Sequence, residues 1–98
     1  MDTRYRLHGV TFSWDMVKAD VNLRKHHVLF ETACEVFHDP FVLIVEADEA
    51  QEEARDAAIG MTQNWLLLFV VYTMRGDAIR IISARKAVRS ERRMYEQQ

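Results

Sequence analysis

From Trp65 to Tyr72 the chain runs through eight consecutive apolar residues, WLLLFVVY, with no polar position among them. That is far short of the roughly 20 residues a membrane-spanning helix needs. It is also too uniformly apolar for a strand with one wet face. Leu66–Thr73 is therefore expected as a central strand whose sheet is covered on both sides. Arg75-Gly76-Asp77 follows as a turn signal, and Ala78–Ala84 reads as the returning strand of a hairpin. Any fold open to the chain must build its layers around that hairpin.

The 98 residues suffice for one domain, residues 1–98, and an apolar content of 49% is enough for a core and too high for a disordered tail. The N-terminal MDTRYRLHG mixes acid and base with no apolar stretch behind it, which does not fit a secretory signal. The single cysteine, Cys34, excludes an internal disulfide, and no Cys or His cluster suggests zinc. These features lead us to expect a soluble cytoplasmic protein with no cofactor. Thirteen basic against fifteen acidic side chains give a net charge of −2, but the charge is segregated. Residues 1–28 carry +2, residues 29–60 carry −8 and residues 61–98 carry +4. The overall balance argues against indiscriminate nucleic-acid binding and leaves room for a local phosphate site in the basic last third.

Around the hairpin, Val10–Trp14 alternates with β-formers and suggests a short strand. Asp15 offers an N-cap for a helix over about 16–27. Phe30, Ala33, Cys34 and Phe37 repeat a helical stripe in a second helix that Pro40 ends near His38-Asp39. Phe41–Val45 is a further strand, residues 46–58 have helix-like composition with too little apolar content to assign, and Lys86–Glu96 is a closing helix. The expectation is an α+β domain: a small antiparallel sheet with two N-terminal helices and a C-terminal helix packed on it.

Two patterns carry chemistry. Arg80 lies inside an apolar strand, where a guanidinium is expensive to desolvate without an anion, and Arg85 ends the same strand. With strict alternation the two serve opposite faces, unless a bulge re-aims Arg85. Each is either held for a phosphate or locked in a structural ion pair. Glu91 sits in the apolar stripe of the last helix, as a general base, as a carboxylate orienting an arginine, or as half of a buried pair. His26 and His27 end the first helix beside Lys25, where helix-end charge explains them as well as proton transfer does. His8 and His38 read as surface groups. Trp14 either stacks on a base or belongs to the core. Glu46, Asp48, Glu49, Glu52, Glu53 and Asp56 read as a solvated or partner-facing strip.

The run Phe12-Ser13-Trp14-Asp15, Lys18, Asn22, Lys25-His26, Val28, Phe30, Ala33, Val36-Phe37 and Asp39-Pro40 resembles the N-terminal half of BrnT toxins. Arg55, Ala58-Ile59-Gly60, Val71-Tyr72-Thr73, Arg75-Gly76, Arg80 to Arg85, Ala87, Glu91-Arg92 and Tyr95 continue that resemblance. It implies the toxin half of a bacterial type II toxin–antitoxin pair, with a fold similar to RelE and ParE toxins. It also implies ribonuclease activity that inhibits translation. The expected partner is a BrnA-like ribbon-helix-helix antitoxin, which dimerises the complex and alone contacts operator DNA. Members commonly have Gly where His27 stands.

On that resemblance, metal-independent RNA cleavage is expected. Arg80 or Arg85 would stabilise the phosphorane, with His26 and Glu91 moving protons. Lys25, Arg75, Arg89, Arg92 and Trp14 would contact RNA. The alternatives are a toxin-like fold kept only to bind a DNA-binding partner, and a ParE-like inhibitor of a protein target.

Overall fold

The computed structural model describes residues 1–47 and 55–98. Along the chain come β1 (Asp2–Leu7), β2 (Val10–Asp15), α1 (Met16–His26), α2 (Phe30–Cys34), a 3-10 turn (Glu35–His38), β3 (Leu43–Glu46), β4 (Asp56–Met61), β5 (Leu67–Arg75), β6 (Ala78–Lys86) and α3 (Arg89–Glu96). The strands form one six-stranded sheet in the order β1-β2-β6-β5-β4-β3. The fold is α+β as expected, but the sheet is mixed rather than antiparallel, because β2 lies parallel to β6. That contact joins the N-terminal hairpin to the meander β3-β4-β5-β6 through only two pairs, Phe12↔Ile79 and Ser13↔Arg80.

Several boundaries differ from the sequence reading. β1 was not anticipated. Its Asp2, Arg4 and Arg6 are exposed and alternate with half-buried Thr3, Tyr5 and Leu7, so its apolar signal is weak. Its turn, His8-Gly9, has positive φ at both positions (49° and 81°), the backbone that a two-residue hairpin requires. The second helix stops at Cys34 and tightens into the 3-10 turn. The strand expected at Phe41–Val45 is β3, Leu43–Glu46. β4 begins within the stretch 46–58 that composition left unassigned and runs past it to Met61, and Asp48, Glu49, Glu52 and Glu53 lie outside the described residues. The last helix begins at Arg89 rather than Lys86, since β6 continues pairing through Leu68↔Lys86.

One face of the sheet carries the main core. Leu68, Val70 and Tyr72 of β5 and Ile81 and Ala84 of β6 pack with Phe12, Trp14, Phe30, Ala33, Cys34 and Val36. The 3-10 turn approaches β4 so closely that a Cβ on Gly60 would stand 2.8 Å from Val36 Cβ. The bland residue in the conspicuous AIG run is thus the one that lets two layers meet. Asp15 caps α1 as expected, its carboxylate accepting from Lys18 N–H at 3.0 Å.

Candidate functional site

β6 carries a bulge. Val71 pairs with Ser83 and Tyr72 with Ile81, so Ile82 has no partner on β5. The extra residue puts Ile81 and Ala84, three apart, on the core face together. It also decides where the arginines point. Arg80 pairs with Thr73 and Arg85 with Phe69, an even spacing on β5, so both guanidiniums rise from the face opposite the main core. The same register sets their backbones about 13 Å apart along the sheet.

Their surroundings differ. Arg80 makes a bidentate pair with Asp2 (2.9 and 3.1 Å) and reaches Ser13 Oγ at 3.4 Å, with 11% of its side chain exposed. The Arg80 bond lowers the Asp2 carboxyl below its ordinary value. Of the two readings open for Arg80, the ion pair describes what it does, tying β1 to the sheet. Arg85 is 35% exposed and lies 4.3 Å above the centroid of the Phe69 ring. Glu91 accepts from Arg85 Nη1 and Nη2, both at 2.8 Å. Two parallel charge-assisted bonds and a stacked ring fix the guanidinium plane while leaving an edge toward solvent.

Glu91 has a second task. Its Oε1 also accepts from Val88 N–H at 2.9 Å, closing the first turn of α3 on itself. Burial pushes the Glu91 carboxyl up, but the Arg85 bonds, the Val88 N–H and the Arg85 charge hold it below its ordinary value. An ionised, twice-occupied carboxylate positions its arginine; it is not poised to take a proton near neutral pH.

α1 approaches the end of β6 from the edge. Asn22, buried, donates to Ala84 O (2.9 Å) and Val28 O (3.1 Å) and accepts from Ala84 N–H (3.0 Å). Its amide thus occupies the strand edge that β2 vacates after Ser13. Lys25 and His26 follow three and four residues later, on the same side of α1 about one turn on. No hydrogen bond or ion pair among the described residues joins them to Arg80, Arg85 or Glu91. His27 caps α1 in the left-handed region (φ 60°, ψ 31°).

Arg75 is exposed at the end of β5 and Arg89 at the start of α3, while Arg92 faces Glu96 at 3.9 Å. Trp14 is 3% exposed and packs T-shaped on Phe30, which corrects its placement among groups free to stack on a base. Burial drives the Cys34 thiol pKa far upward, away from reactivity. Among the described residues, no three His, Cys, Asp or Glu side chains gather as a metal site.

Beside Arg85 opens a cleft of about 360 Å³ lined by Ala47, Arg55, Phe69, Val71, Ile82, Ser83 and Arg85. Arg55 and Phe69 are contributors the sequence reading did not assign to the site. Phe69 is hidden within the apolar run, and Arg55 precedes the strand that composition left open.

Fold and site together define a small α+β domain whose clamped arginine, Arg85, shares a cleft with a second arginine, Arg55. Residues 14–91 match the family model of BrnT, the ribonuclease toxin of a type II toxin–antitoxin system. The chain belongs to this family of ribonuclease toxins, and membership implies an antitoxin partner. No curated protein matches the chain. No helix among the described residues is long and apolar enough to cross a membrane.

Proposed function

We propose that the chain, with a fold of the RelE and ParE kind, is a cytoplasmic endoribonuclease that cleaves RNA without a metal and so blocks translation. A BrnA-like ribbon-helix-helix antitoxin silences it. The observation that carries this reading is the Arg85 guanidinium, stacked on Phe69, clamped by Glu91 and still exposed at the cleft.

In the proposed reaction the ribose 2′-oxygen bonds to the adjacent phosphorus as its proton leaves. The bond from phosphorus to the 5′-oxygen breaks, and that oxygen takes up a proton. The products are a 2′,3′-cyclic phosphate and a free 5′-hydroxyl. Arg85 stabilises the negative charge that builds on the phosphorane, with its plane already set by Glu91 and Phe69. His26 supplies or removes protons at the end of α1, and Lys25 adds positive charge there. Arg75, Arg89 and Arg92 hold flanking phosphates. Arg80 receives no reacting role, because its guanidinium is paired with Asp2 and only 11% of its side chain is exposed.

Expression of this chain without its antitoxin tests the proposal. Growth arrest with fragmented cellular RNA supports it. Arrest with intact RNA and damaged DNA points to a ParE-like protein target. Normal growth with tight binding of the antitoxin points to a binding module without chemistry.

A further inference from the structure

Arg55 Nε is buried and has no hydrogen-bond partner, the one such side-chain atom among the described residues. A guanidinium stays charged at every physiological pH, so an orphaned N–H of this kind is a standing penalty that an anion would remove. Arg55 lines the same cleft as Arg85 and Ser83, over the apolar floor of Phe69, Val71 and Ile82. Its position is fixed from behind, since Ala47 N–H donates to Arg55 O at 3.1 Å and Asp56 enters the ladder with Tyr72 and Glu46.

Arg85 has donors to spare for the same guest. Of the five N–H groups of a guanidinium, Glu91 takes two and the Lys86 carbonyl takes a third. The Nε–H and one N–H of Nη2 are left, on one edge of the plane. The cleft therefore brings together two cations with unused donors and the Ser83 hydroxyl, and the Glu91 carboxylate beside Arg85 is already taken up by it.

We infer that this cleft is a phosphate subsite, in which Arg55 and Arg85 hold one phosphodiester group of a single-stranded polynucleotide between them. The inference rests on reading this face as the RNA surface, and it makes Arg55 a substrate-binding residue for that reaction.

The test separates binding from cleavage. A fluorescein-labelled single strand of 2′-deoxynucleotides keeps the phosphates and lacks the attacking hydroxyl, so it binds without being cut. Fluorescence anisotropy across a salt series is expected to show Arg55→Ala weakening binding about tenfold. The slope of log affinity against log salt should fall by about 0.7, the contribution of one phosphate contact on a single strand. Arg55→Lys keeps the charge and should keep the slope. In the wild type, the Arg55 Nε–H resonance should move as the strand is added, a readout that needs no variant to fold. A fixed resonance, or an Arg55→Ala protein that binds with unchanged affinity and slope, overturns the inference. Wild-type binding that depends on Arg55, with no cleavage of the all-ribose strand, supports the subsite and removes the nuclease reading instead.

Discussion

Tyr95 Oη donates to Asp39 Oδ2 at 2.5 Å, fastening the last turn of α3 to the loop before β3 across 56 positions of sequence. The same carboxylate accepts from Phe41 N–H (2.9 Å) and Met61 N–H (2.8 Å), so one side chain ties together three segments. Partial burial raises the Asp39 carboxyl, and the three donors more than offset it, holding it below its ordinary value. Burial, then the bond to Asp39, pushes the Tyr95 phenol up to about 12.

The two shifts act at opposite ends of the pH scale. For Asp39, whose folded pKa is depressed, stability is present above the unfolded value of about 4 and is lost as pH falls through the lower folded value. For Tyr95, whose folded pKa is raised, stability is full below about 10 and declines toward about 12, because the unfolded chain gives up the proton first. Thermal melts of wild type and Tyr95→Phe across that range check this. The variant should melt a few degrees lower at pH 7, reflecting about 1 kcal/mol, and lose part of the alkaline decline. Superimposable alkaline limbs would contradict it.

Asn22 serves the fold and touches none of the reacting groups proposed here. Asn22→Ala would strand the N–H and C=O of Ala84 and the C=O of Val28 at a buried edge. A loss of about 3 kcal/mol is expected by chemical denaturation. A loss below about 1 kcal/mol would mean that water or β2 replaces the amide.

His27 holds a left-handed backbone that costs a residue with a Cβ about 1 kcal/mol. His27→Gly should raise stability by a similar amount, less the entropy a glycine frees in the unfolded chain. The gain is read as a higher denaturation midpoint with an unchanged slope. A lower midpoint would show that the His27 side chain makes a contribution of its own.

Much of this was visible in the residues themselves. Leu67–Tyr72 of the apolar run, the turn and the returning strand form the centre of the sheet, while Trp65 and Leu66 stand exposed before it. Asp15 behaves as the cap its position suggested. The parallel contact of β2 with β6 was not legible, since it depends on where α1 carries the chain and rests on two residue pairs. Nor was the bulge at Ile82. Alternation assigned Arg80 and Arg85 to opposite faces, and one unpaired residue reverses that. Arg55, named in the family resemblance, was given no role there, because the cleft it lines is formed only when separate strands come together. Asn22, Asp39 and Tyr95, which stand in the motif residues of the family resemblance, act in this chain as fasteners of the scaffold.

A toxin held by a ribbon-helix-helix partner should not appear as a one-to-one pair, because such DNA-binding domains form dimers. Light scattering of the co-expressed complex should give a mass of at least two copies of each chain. A single copy of each would contradict the proposed partner.

The central claim is that Arg85 serves a polynucleotide phosphate. Purified protein incubated with single-stranded RNA in excess EDTA tests it most directly, alongside Arg85→Ala and Arg85→Lys proteins shown by melting to be folded. Wild type should cut and leave 2′,3′-cyclic phosphate ends, while Arg85→Ala should be slower by about a hundredfold or more. No cleavage by the wild type, or equal cleavage by Arg85→Ala, would contradict it.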